Sequence, residues 1–95
     1  MLKLNDKPDE LMLEWIIRMT DEKADTLLVE KVAYEMRRKL IKKRKDGKRG
    51  WHTPCCSNKM LLEMLKTNIE KGDMVDVINL AGMILCRTSL YGESA

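Results

Sequence analysis

The sequence predicts an all-α protein: a small bundle of three to four helices, with a long basic second helix and a C-terminal helical hairpin. Three observations carry this. Apolar residues recur at three- and four-residue spacing. Capping residues and glycines stand where that spacing starts and stops. No stretch carries a convincing strand pattern. Ninety-five residues make one domain, of a size that buries only about 60% of the surface its unfolded chain exposes. We divide it into N-terminal helices over 1–45, a loop over 46–57, a hairpin over 58–87 and a tail over 88–95.

Residues 1–7 form a short lead in which Leu2 and Leu4 can supply order. Asp6 can cap a first helix over 8–19, and Pro8, Asp9 and Glu10 suit its first turn. Leu11, Trp15 and Met19 share one face of that helix, with Trp15 as its main anchor. Thr20 caps the second helix, over 21–45, and Asp21, Glu22 and Asp25 favour its positive end. At 1.5 Å per residue this helix is roughly 36 Å long. Gly47 and Gly50 end it. Pro54 keeps Thr53 out of helical geometry. Ser57 caps a third helix over 58–71. Lys71-Gly72-Asp73 is the clearest punctuation: Gly72 takes the left-handed C′ position and Asp73 caps a fourth helix over 74–87. So short a link makes the last two helices an antiparallel hairpin. The fourth helix is apolar nearly all round, which suits a central helix or a subunit contact.

Charge is distributed unevenly. The net charge is only +3, yet residues 1–36 carry nine acids and five bases, while 37–49 carry nine bases and one acid. A block of one sign is an electrostatic feature in its own right. Arg37, Arg38, Lys42, Lys43, Arg44, Lys45, Lys48 and Arg49 are therefore the candidate partner-binding residues. They suit an acidic protein, a nucleic acid or a nucleotide. Eight Met and no Phe imply an adaptable core. With the apolar surplus of the last helix, that suggests a homo-oligomer, a dimer first of all.

Other constellations are weaker. His52, Cys55 and Cys56 fall within five residues, but a zinc site needs a fourth ligand, and Cys86 is the only other Cys or His. We expect no metal and no cofactor. A Cys–His nucleophile lacks a third group to orient the base. Three cysteines do not make a disulfide framework, which points to a reduced, cytoplasmic protein. No apolar run approaches the roughly 20 residues of a membrane span. Glu70-Lys71-Gly72-Asp73 reads E-x-x-D, as in the all-α Mg²⁺-dependent nucleotide pyrophosphohydrolases, but the partner E-x-x-E is missing and Gly72 interrupts the pair. Capping explains Asp73 and Asp76 as well.

Gly47 to Arg87 resembles a short module of small accessory proteins from tailed phages and prophages. The matching residues are Arg49, Gly50, Trp51, Pro54, Lys71, Gly72, Asp73, Val75, Asp76, Val77, Asn79, Met83 and Arg87. Met74 stands where the module has Pro, and Asn68 where it has His. The resemblance implies a phage genome and action inside a bacterial host cell. It also implies that Trp51, Pro54, Gly72, Asp73, Asp76 and Asn79 are scaffold. Trp51 would fold over the hairpin, Asp76 or Asn79 would hydrogen-bond its loop, and Arg49 could pair with Asp76. The leading expectation is a non-enzymatic accessory protein that inhibits or sequesters a host or defence component through its basic surface. A DNA- or RNA-binding factor is the alternative, and the Mg²⁺ hydrolase a second.

Overall fold

The computed structural model describes residues 9–92. The lead over 1–7, with the cap expected at Asp6, and Pro8 lie outside the described residues, as do residues 93–95. The described residues form four helices and no strand: α1 (Glu10–Arg18), α2 (Asp21–Lys45), α3 (Asn58–Lys71) and α4 (Met74–Tyr91). The fold is all-α. The chain falls into two compact units, Met1–Lys31 and Val32–Ala95, with the division inside α2.

In the first unit, Asp9 caps α1, accepting a hydrogen bond from the backbone N–H of Met12 at 2.8 Å. Thr20 caps α2 through its Oγ1, which accepts from the N–H of Lys23 at 3.2 Å. The anchor expected at Trp15 is not one: its side chain is 60% exposed, and α1 buries no residue. The apolar spacing makes a helix with an apolar face, but Leu11, Trp15 and Ile17 stay largely exposed.

The second unit holds the core. Ser57 caps α3 by accepting from the N–H of Met60 at 3.1 Å. Gly72 closes α3 at φ 75°, a left-handed conformation that a residue with a Cβ adopts only under strain. Its N–H returns to Ile69, and the N–H of Asp73 returns to Asn68. Asp73 then caps α4, its side chain accepting from the N–H of Asp76 at 3.0 Å. These two caps fix the α3–α4 hairpin. Leu61, Leu80 and Ile84 are its buried apolar residues, with Cys56, Leu62, Leu65 and Met83 packed around them.

Two expectations for the last helix change. Instead of ending at residue 87, α4 runs to Tyr91, because nothing breaks it before Gly92, which caps it at φ 68°. Residues 88–91 are helix rather than polar tail. Nor is α4 buried all round. Its buried residues are Asp76, Asn79, Leu80, Ile84 and Arg87, while Met74, Leu85 and Leu90 are exposed. Length and mean hydropathy alone would allow α4 to cross a membrane, a test that core helices also pass. Asp76, Asn79, Arg87 and Thr88 each make at least one bond to this chain's own groups.

Candidate functional site

Two constructions share the second unit. The first is a clasp on the loop between α2 and α3. Gly50 opens it at φ 86°. The N–H and Oγ1 of Thr53 both donate to the Gly50 carbonyl, and the N–H of Cys56 donates to the Thr53 carbonyl. Arg87 reaches this loop from α4. Its Nη1 donates to the carbonyls of Trp51 at 2.8 Å and Thr53 at 2.7 Å, and its Nε donates to Asn58 Oδ1 at 3.1 Å. Asn58 in turn donates through Nδ2 to Thr88 Oγ1, whose hydroxyl donates to the Ile84 carbonyl. The guanidinium lies 4.8 Å from the centroid of the Tyr91 ring, and the Tyr91 hydroxyl donates to the His52 carbonyl. Arg87 is 2% exposed, so its cost of burial is met by carbonyls and a ring face. Trp51 is half-buried, its ring edge-on to His52, and Pro54 is exposed.

The loop partner expected at Asp76 or Asn79 is thus Arg87. The reason is geometric: Arg87 lies at the end of α4 that the loop reaches, while Asp76 and Asn79 face α2. Asn79 Nδ2 donates to the Met36 carbonyl at 3.5 Å, and its Oδ1 is buried without a partner among the described residues. Sequence reasoning assigned no role to Asn58, gave Arg87 only a place in the phage-module pattern, and let Tyr91 tuck back from a polar tail, whereas here it reaches the loop from the end of α4. One signal was available: a lone cation in an apolar helix needs a dedicated set of acceptors.

The second construction is a basic cleft of about 390 Å³ where the end of α2 meets the α3–α4 turn. Lys39, Lys42, Lys43, Lys48 and Lys71 line it, with Asp46, Asp73 and Asp76, and with Met64, Thr67 and Asn68. Asp73 Oδ2 accepts from Lys39 Nζ at 3.0 Å. Asp76 Oδ2 lies 3.4 Å from Lys43 Nζ and 3.7 Å from Lys39 Nζ. The N–H of Asp76, and then the Lys39 ammonium, hold the Asp73 carboxyl below the usual carboxylate range. The hydrogen bond to Asp73 raises Lys39, against the opposing effect of its partial burial.

The pairing expected between Arg49 and Asp76 does not form. Lys39 and Lys43 already face that carboxylate from the adjoining helix, and Arg49 is exposed. Lys43 is therefore half-buried and engaged, whereas Arg37, Arg38, Lys42, Arg44, Lys45 and Lys48 are exposed like Arg49. Arg38 pairs with Glu35 at 3.6 Å along the same helix. Glu70 is exposed, and both Asp73 oxygens are engaged, so E-x-x-D here spans a helix end and a cap. Cys55 and Cys86 are exposed and Cys56 is half-buried. No group of three or more His, Cys, Asp or Glu able to hold a metal ion occurs among the described residues. Comparison with protein-family models, curated proteins and solved structures finds no match.

Proposed function

We propose that this protein acts by binding, and that exposed basic residues at the end of α2 and in the following loop engage an acidic protein of a bacterial host. The observation that carries this reading is the seven exposed cations: Arg37, Arg38, Lys42, Arg44, Lys45, Lys48 and Arg49. Lys39 and Lys43 are drawn inward, so Asp73 and Asp76 brace the helix that carries five of the seven. Such a surface steers an acidic partner and fixes its register. The phage-module resemblance supports an accessory protein that inhibits or sequesters a host component. The exposed apolar residues of α1, Trp15 among them, support self-association as a dimer. Trp51, the aromatic ring beside the basic block, is half-buried and so offers less of its face for a base to stack on, which makes nucleic acid the second outcome to test.

Affinity capture from bacterial lysate, with and without nuclease, tests the reading. A single acidic protein retained after nuclease, and lost with Arg37→Glu/Arg38→Glu, is the expected result. Capture abolished by nuclease would replace the reading with a nucleic-acid one. For duplex DNA, binding would then fall steeply with salt, with a log–log slope of about −0.9 per neutralised phosphate.

A further inference from the structure

We infer that the lysine cleft at the α2–α3–α4 corner is a small-anion site for a di- or triphosphate group; it shares Lys42 and Lys48 with the basic surface proposed above and adds Lys39, Lys43 and Lys71. Five lysines and three aspartates line it, a surplus of two positive charges. Lys39 and Lys43 are held by Asp73 and Asp76. No ion pair among the described residues uses Lys42, Lys48 or Lys71.

These three ammoniums come from three different segments: α2, the loop and the last turn of α3. Like charges drawn to one cleft repel, and an anion seated among them turns repulsion into attraction. The Lys39–Asp73 and Lys43–Asp76 contacts tie α2 to the hairpin, so they set the spacing before a ligand arrives. Preorganisation of this kind lowers the cost of binding.

The donor set selects the ligand. Lysine ammoniums act as point charges, whereas a lone carboxylate is better matched by an arginine fork. Thr67 Oγ1 donates to the Glu63 carbonyl, and Asn68 Nδ2 to the Met64 carbonyl. The ammoniums are therefore the principal donors left to an anion. The three carboxylates oppose a weakly charged ligand and raise the charge that an anion has to bring. A volume of about 390 Å³ suits a small ligand. The lining has no aromatic ring on which a base could stack, so the phosphates supply recognition.

The full chain titrated with tripolyphosphate, ATP and adenosine tests the site by calorimetry and by backbone amide shifts. Tripolyphosphate should bind saturably and shift the amides of Thr67, Asn68 and Lys71. ATP binding comparably or more tightly fits the phosphate tail of a nucleotide, and tripolyphosphate binding more tightly fits a free polyphosphate. Lys48→Gln/Lys71→Gln should weaken tripolyphosphate roughly tenfold, about 1.4 kcal/mol. Lys59→Glu, an exposed position twelve residues and roughly 18 Å along α3 from Lys71, should change it by less than about threefold, as expected for a screened distant charge. No saturable binding, shifts confined to residues outside the cleft, or adenosine binding as well as ATP would overturn the proposal. Equal weakening by both variants would do so too, since it would mean a diffuse field instead of a site. Partner capture is read separately, so loss of one activity with retention of the other identifies which reading has failed.

Discussion

The two units of this chain are written in similar sequence language and differ in what they bury. Both contain capped helices with apolar residues at helical spacing. In the first unit, no described residue is buried. In the second, Leu61, Leu80 and Ile84 close a small core, and Asn58, Asp76, Asn79 and Arg87 are buried beside them. The difference lies in covalent geometry and in polar partners. A tight cap-to-cap link brings α3 against α4, so each covers the other. Amphipathic spacing identifies a face that gains from cover, roughly 25 cal/mol per Å². It does not supply the cover.

The strongest way to break this contrast is at Arg87. Replacing it by Ala leaves the Trp51 and Thr53 carbonyls and Asn58 without their donor. We expect a loss of about 3–4 kcal/mol, read as a lower urea midpoint with slope unchanged. Arg87→Lys should recover only a small part of this, because one ammonium cannot reproduce the guanidinium fork. A variant as stable as the wild type would show that the loop holds itself. Next in size is Leu80→Ala, a cavity in the three-residue apolar core, at about 2–3 kcal/mol by the same measurement.

Much of this fold is legible in the sequence, because punctuation is local. Thr20, Ser57, Gly72 and Asp73 cap where their residue types say they should, each acting on groups within about one helical turn. Partner choice is not local. Arg87 meets Trp51 across 36 positions, and Lys39 meets Asp73 across 34. The basic block could be read as charge, but not that Lys39 and Lys43 turn inward while their neighbours stay exposed. Helical spacing puts Lys39 and Lys43 on one face with Met36, and that face meets α4 at Asn79 and Asp76. Only the packed hairpin decides which of the available carboxylates they reach.

The acid–lysine brace gives a smaller, pH-dependent effect. Asp73→Asn keeps a good capping side chain and removes the charge. At neutral pH it should cost roughly 0.5–1 kcal/mol, the scale of a partly exposed ion pair. A carboxyl lowered in the folded state stabilises fully above its unfolded value, and that contribution is lost as pH falls through the folded value. The gap between wild type and variant should therefore close on acidification below the ordinary carboxylate range. At the alkaline end Lys39 behaves in the opposite sense: a raised ammonium stabilises below its unfolded value, and the benefit disappears as pH rises through the raised one. A gap that stayed constant down to the acid limit would assign the effect to capping alone.

The smallest expected effect sharpens the contrast from the other side. Trp15 is 60% exposed, and Leu11 and Ile17 more so. In dilute solution Trp15→Ser should leave the urea midpoint within about 0.5 kcal/mol of wild type, as for a surface position. α1 has nine residues and buries none of them, and isolated helices below about 12–15 residues are marginal in water. If a second copy covers this face, the wild-type midpoint must rise with protein concentration, because association stabilises only the folded chain. Trp15→Ser would then lower that rise while leaving the dilute limit untouched. Measurement of the midpoint across a hundredfold range of concentration, for both chains, separates a bare face from a face that waits for its own copy.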